Sequence, residues 1–450
     1  MPLLHALRRT GAIAALGWLL ALPAGAMDLL GAYQTALQQD AATRAARAAA
    51  LAGQERVEQA RAQLYPSLSL SAGYLRNDLS RSQGSGPQRS SSNESYPSHN
   101  ATLTARQPLY RKALSVGLEQ ARRQREEADA ALERETQDLG VRVAEAYMQI
   151  LLAGDQLALI EAQKRATATQ LDAAGKLLAA GSGTRTDIDE AQARLDMALA
   201  RELEARQQQD YAVRQLALLV NAPVDAAALR PLDAARLGAW QPAQRDLQQW
   251  LALAEDRSPE LRQLRARLDA ARLEVEKARS GHLPTLDAVA QWSRSASENV
   301  TTPSTRYTNR SIGVQLNVPL YAGGYVSATV RQALAEEERA RELLEAARRD
   351  LALRIHTELR NVSEGPMRLH ALEQAARSAA QLALSNRKSF EGGARTMVDV
   401  LNAEQQKAQA LLDLARARYV YLVSSVRLPS LAGAPAEAEI AAINGLLGLR

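Results

Sequence analysis

Two periodicities share this chain. From Ser67 to Tyr74, the residues Leu68, Leu70, Ala72 and Tyr74 alternate with Ser67, Ser69, Ser71 and Gly73. A period of two with one apolar face predicts a strand. Ala101, Leu103 and Ala105 alternate in the same way with Thr102, Thr104 and Arg106, which predicts a return strand over Ala101–Leu109. Between them, Asn77–Ser98 is rich in Ser, Gly, Asn, Arg and Pro and reads as a long polar loop. The pattern recurs later. Leu286, Ala288, Ala290 and Trp292 alternate with Thr285, Asp287 and Gln291; a polar loop spans Ser295–Thr308; Ile312, Val314, Leu316 and Val318 then alternate with Ser311, Gln315 and Asn317.

Helical periodicity fills the remainder. A helical segment precedes each strand pair, Leu29–Leu64 in one case and Ala243–Gly281 in the other. In the second, Leu261, Leu264, Leu268, Ala271, Leu273 and Val275 recur at helical spacing. Very long helical stretches follow each pair. Arg111–Ala180 has no Pro, and Gly181-Ser182-Gly183 stops it before a second helix over Thr186–Leu219. The later copy reads Val326–Glu364, Met367–Glu391, the break Gly392-Gly393, then Thr396–Val426. About 70 residues of helix extend roughly 100 Å, so these helices must pack side by side as coiled coils.

Three landmark pairs, each offset by about 210–220 residues, establish an internal duplication. Tyr65-Pro66-Ser67-Leu68 pairs with Leu283-Pro284-Thr285-Leu286, and Gln107-Pro108-Leu109-Tyr110 pairs with Val318-Pro319-Leu320-Tyr321. Gly181 and Gly393 each stand six residues before an Asp, Asp187 or Asp399, that is followed by Ile or Val. The expected organisation is a leader over 1–26, a first repeat over 27–220, a Pro-rich linker over 221–242, a second repeat over 243–428 and a short tail over 429–450. In the leader, Arg8-Arg9 precedes an apolar run from Ala12 to Leu22, and Ala24-Gly25-Ala26 follows Pro23. That is the layout of a signal peptide cleaved after Ala26. The run is too short for a bilayer span.

Composition removes most chemistry. The 450 residues include no Cys, five His and a single Phe, with aromatics at 4%. Ala, Leu, Arg, Gln and Glu dominate, the composition of long helices. There is no HExxH arrangement, no Ser/His/Asp constellation and no nucleotide fingerprint, so neither a metal, a cofactor nor an enzyme activity is expected. Gly181-Ser182-Gly183-Thr184 lacks the Lys of a phosphate loop. Asp187, Asp189 and Glu190 suit the first turn of a helix. The net charge of +5 comes from interleaved Arg and Glu, a solvated-helix pattern rather than a nucleic-acid surface. Two arrangements satisfy the strand pairs. One is a soluble hairpin lying on helices, in a secreted periplasmic scaffold or adaptor without a pore. The other is a transmembrane hairpin with alternating lipid-facing and lumen-facing residues.

The landmarks Tyr65–Leu70, Gln107–Tyr110, Gly281–Asp287, Val318–Gly324 and Gly393–Leu401 together resemble the TolC family of outer-membrane efflux and secretion channels. The resemblance spans nearly the whole mature chain. It implies a mostly α protein with a transmembrane β part: a homotrimer in which four strands per protomer build one 12-stranded β-barrel, continued by a long periplasmic α-helical barrel. It implies an exit duct in the cell outer membrane for type I protein secretion or multidrug efflux. The implied partners are outer-membrane lipid, a periplasmic adaptor (membrane fusion) protein and an inner-membrane transporter, ABC-type or proton-driven. It also implies a periplasmic gate. There Thr186 and Asp187 accept a link, Arg395 reaches across, and Asp399 forms a threefold carboxylate ring. Two positions depart from the family pattern: Phe390 stands where a Tyr is expected, and Asn402 where a second carboxylate is expected.

Overall fold

The computed structural model describes residues 27–84, 86, 89–240, 246–297 and 305–448; the expected signal peptide and its cleavage point lie outside them. The first helical stretch is two helices, α1 (Leu29–Gln39) and α2 (Ala41–Ala62). Asp40 separates them, with extended backbone and a carboxylate that accepts from Thr43 N at 2.7 Å and Thr43 Oγ1 at 2.9 Å. A short polar side chain that bonds nearby backbone ends one helix and caps the next.

The long helices follow: α3 (Lys112–Ala179) and α4 (Arg185–Val220). A turn of 3-10 helix at Ala226–Ala228 and a short helix, α5 (Ala234–Ala239), occupy the segment between the halves. The second half begins with α6 (Leu247–Arg257) and α7 (Pro259–Arg279), divided at Ser258 because Pro259 lacks the N–H that a continuous helix would use. Then come α8 (Tyr325–Ser363), α9 (Gly365–Glu391) and α10 (Met397–Leu431). The 68 residues of α3 span about 100 Å.

The main apolar core lies midway along α3. Leu139, Val143, Tyr147, Met148 and Ile150 meet Leu29 and Tyr33 of α1, Leu216 of α4, Ile355 of α8 and Leu422 of α10. Toward the far end of α3 and α4 the packing narrows to a seam of small residues. Ala191, Ala198, Ala205 and Ala212 recur every seven residues and are buried. A seven-residue repeat keeps one stripe of a supercoiled helix against its neighbour, and Ala lets the two backbones approach closely. Glu202 is buried in the same helix, paired to Lys164 of α3.

The tail expected over 429–450 is a correction. Helix α10 runs through Pro429 to Leu431, and a further helix, α11 (Ala436–Asn444), follows. Ile440 and Ile443 of α11 are fully buried. Beyond it, Asp233 N donates to Leu446 O at 3.0 Å and Gly448 N to Pro231 O at 2.8 Å, which ties the C-terminal segment to the segment between the halves. Gly140 of α3 makes room for this helix, since a Cβ there would collide with the Cβ of Ala436.

Four antiparallel strands form one sheet in the order β1-β2-β3-β4: β1 (Ser67–Gln83), β2 (Ser90–Tyr110), β3 (Thr285–Ala296) and β4 (Arg306–Asn317). The loop expected over Asn77–Ser98 is also corrected. Most of it is ladder, from Asn77↔Tyr96 to Gln83↔Ser90. Asn77 Nδ2 donates to Ser98 Oγ at 2.8 Å across the strands. With polar residues on both faces, the alternation that betrays a strand is lost, although the backbone still pairs. In the second hairpin the strands take up Ser295, Ala296 and Arg306–Thr308; 298–304 lie outside the described residues.

Candidate functional site

The sheet register brings the alternating residues of all strands onto common faces. Leu68 pairs with Ala105, Ala105 with Ala290 and Ala290 with Ile312; the next row is Leu70, Leu103, Trp292 and Arg310. Ala72, Leu286, Val314 and Leu316 extend the same face. The opposite face carries Ser69, Ser71, Thr102, Thr104, Gln291, Ser311 and Gln315. Ile312 and Val314 are 88% and 70% exposed. Apolar side chains left in water on this scale mark a surface meant for another medium. Tyr65, Tyr110 and Tyr321 are exposed near the helix-bearing end, and Tyr74 toward the hairpin end, with Trp292 on the same apolar face. An apolar band bounded at both ends by aromatic rings is the outer surface of a membrane β-barrel. Alternation alone does not reveal these two girdles, whose signal in the sequence is Tyr or Trp at strand ends.

The outer edges of β1 and β4 have no partner strand among the described residues. Where the sheet joins the helices, the guanidinium of Arg111 makes a bidentate contact with Asp287, with Nε to Oδ1 at 2.8 Å. This ties the residue that precedes α3 to β3.

At the opposite end, two helical hairpins turn side by side. The α3–α4 turn has Gly181 at φ 77, and the α9–α10 turn has Gly393 at φ 76, conformations that favour glycine. Each is followed by the same capping box. Thr184 Oγ1 accepts from Asp187 N at 3.2 Å, and the Asp187 carboxylate accepts from Thr184 N at 3.0 Å. Thr396 Oγ1 accepts from Asp399 N at 3.3 Å, and Asp399 accepts from Thr396 N at 3.0 Å. Hydrogen bonds from the backbone and then the hydroxyl of Thr396, with Arg395 adding charge, hold the Asp399 carboxyl below its ordinary value.

The expected gate residues all fall on these tips, with different partners inside one chain. Asp187 is engaged by Thr184, and Thr186 is exposed on the first turn of α4. Arg395, just ahead of the Thr396 cap of α10, has its Nη1 3.9 Å from Asp399 in the first turn of that helix. Among the described residues it makes no contact with Asp187. The reason is local: Asp187 and Asp399 each stand at the third helical position and are captured by their own caps, and Arg395, one residue ahead of its cap, lies beside the Asp399 carboxylate. Asn402 is exposed and accepts from Arg194 Nη2 at 2.9 Å, which joins the two hairpins. Phe390 packs with Ile188 against Ala174, Met397 and Leu401, a second apolar cluster confined to the tips. This inter-hairpin contact was not foreseen. Among the described residues no group of His, Asp and Glu is placed to hold a metal ion.

The same fold appears in solved structures. CusC superposes with a TM-score of 0.75 over 90% of this chain and 92% of that one, at 16% identity, a likeness of fold alone. The decisive match is in sequence: residues 32–222 and 250–434 fit the family described as "Outer membrane efflux protein". The chain belongs to the outer membrane efflux protein family. Two curated relatives are the Proteases secretion protein PrtF of Dickeya chrysanthemi, 34% identical over 91% of this chain and 89% of that protein, and the Alkaline protease secretion protein AprF of Pseudomonas aeruginosa, 36% identical over 92% and 86%. The Outer membrane protein TolC of Escherichia coli is 29% identical over 94% of this chain and 85% of its own length. As a family member, the chain is an outer-membrane exit duct for tripartite export. The family match falls in two segments, in keeping with the duplication read from the sequence.

Proposed function

We propose that the chain works as a homotrimer whose three sheets close one barrel, and whose helices form a periplasmic conduit that is shut at the Gly181 and Gly393 tips. The observation that carries this is the amphipathic four-stranded sheet with both edges open, joined to helices of about 100 Å. Lipid cannot satisfy open strand edges, so a membrane sheet must close on other strands. Four strands are too few to close a barrel, whereas three copies supply enough. The conduit meets a periplasmic adaptor and an inner-membrane transporter at the tips, after the leader over 1–26 has been removed. Type I protein secretion is favoured over drug efflux. Two relatives named for protease secretion match at 34% and 36% identity, against 29% for the TolC of E. coli.

At the tips, Asp399 supplies a threefold ring of carboxylates, kept ionised by Thr396, that concentrates cations in a narrow lumen. Arg395 screens that ring and, between copies, links to Asp187 beside Thr186. Phe390 has no hydroxyl to join this link, and Asn402 adds no second carboxylate, so closure is latched rather than locked. Planar-bilayer recordings of the full chain test the gate. Arg395→Ser should raise conductance several-fold, and Asp399→Ala should move the reversal potential toward zero in a cation gradient. If both variants match wild type in current and reversal potential, these residues neither line nor latch the constriction.

A further inference from the structure

On the apolar face of the sheet, the rows nearest the β3–β4 hairpin end in arginines. Arg310 pairs across the strands with Trp292, Arg294 with Thr308 and Arg306 with Ala296. All three occupy the alternate positions that also carry Ile312 and Ala290, so they lie on the face turned to lipid. Arg294 is diagonal to both Arg306 and Arg310, at a backbone spacing of about 7–8 Å. The three are exposed, and none has a carboxylate partner among the described residues. Arginines on the helices differ: Arg341, Arg348 and Arg354 of α8 each hold at least one Glu. Three like charges on adjacent strands, unpaired among the described residues, repel one another. An arrangement of this kind calls for an anion that bridges them.

The cluster lies at the hairpin end, away from all the helices. With the helices in the periplasm, that end is the outer leaflet; this step rests on the membrane orientation of the reading above. The outer leaflet there is built of phosphorylated glycolipid. We propose that Arg294, Arg306 and Arg310 form a binding site for the phosphates of lipid A, with the Trp292 ring at the boundary between its sugar and acyl parts. The chemistry fits at each level. Guanidinium groups bind phosphate oxygens in bidentate fashion and remain charged at the membrane surface. The apolar rows below, from Ile312 to Leu316, take the acyl chains. Trp suits the interfacial depth. Asp78, the acidic side chain on this face of the described strands, stands two strands away on β1. The site would hold a collar of ordered lipid around the barrel.

The test uses the full-length protein purified in detergent and titrated with diphosphoryl lipid A, monophosphoryl lipid A and phosphatidylethanolamine, with bound lipid read by native mass spectrometry. Wild type should bind the diphosphoryl form most tightly and phosphatidylethanolamine least. Replacing all three arginines with Gln should weaken lipid A binding on the order of a hundredfold, at about fivefold per basic residue near the surface. Should the triple variant fail to assemble, Arg294→Gln alone carries the test, with an expected loss of about fivefold. Arg81→Gln, on the other face of β1, should change nothing. Unchanged lipid A binding in the Gln variants overturns the proposal, as does equal wild-type affinity for phosphatidylethanolamine. A cysteine at Ser90 separates the two levels of inference. If it reacts with an impermeant reagent on intact cells while the Gln variants bind normally, the lipid site falls alone. If it reacts only after lysis, the orientation falls and takes the site with it.

Discussion

Thr184 and Thr396 show how one residue type can set a structure at equivalent places in a duplicated chain. Each ends a glycine turn and starts a helix, and each is answered three residues on by an Asp that returns the hydrogen bond. Thr396→Ala should cost about 1 kcal/mol of local stability, read as faster hydrogen exchange in the first turn of α10 with no change in the sheet. The pH dependence follows from the lowered Asp399 pKa. A depressed carboxyl contributes stability that is fully present above its unfolded value and is lost as pH falls through the lower folded value. Protection of that turn should therefore be level from neutral pH down to the usual carboxylate range, and fall only below it. The Gly-x5-Asp spacing made both turns legible in the sequence. The partner of Arg395 was not, because the Asp399 carboxylate in the adjoining first turn of α10 competes with any more distant one, and spacing alone does not rank them.

Among the elements, the long helices were legible because their breaks are chemical: Gly181, Gly393 and the prolines. Breaks made by subtler means were missed. Asp40 interrupts a continuous apolar periodicity through the bonds its carboxylate accepts from Thr43, and Pro429 does not interrupt α10 at all. The glycines inside α3 also divide by environment. Gly140 is required because Ala436 of α11 occupies the place of a side chain, whereas nothing lies within 4 Å of a Cβ at Gly117. Gly140→Ala should thus lower the thermal midpoint through overpacking of about 1–3 kcal/mol. Gly117→Ala should raise it, since Ala exceeds Gly by about 1 kcal/mol in a helix. Thermal melts followed by circular dichroism would register both, and equal shifts would deny α11 its place against α3. The heptad of alanines at 191, 198, 205 and 212 was readable in the sequence. It was overlooked because Ala contributes little to an apolar pattern searched through Leu and Val.

In the whole molecule, the division of labour follows the surfaces. The core around Tyr147 and Leu422 makes one chain stable, the apolar face of the sheet requires lipid, and the open edges of β1 and β4 require other strands. The duplicated architecture could be read from the sequence because strand alternation and turn residues recur in order. The reach of the first hairpin could not, since β1 and β2 continue as a largely polar ribbon, broken only by residues such as Leu79 and Tyr96, well past the end of β3 and β4. That ribbon should stand clear of the membrane, and Ser90→Cys should be labelled on intact cells. The assembly gives the most direct test of the central claim, that three copies close one duct. Light scattering on the detergent-solubilised protein, corrected for bound detergent, should give close to three times the mass of the mature chain, which is the 48.7 kDa of all 450 residues less the leader. A monodisperse particle with the mass of one chain would contradict it.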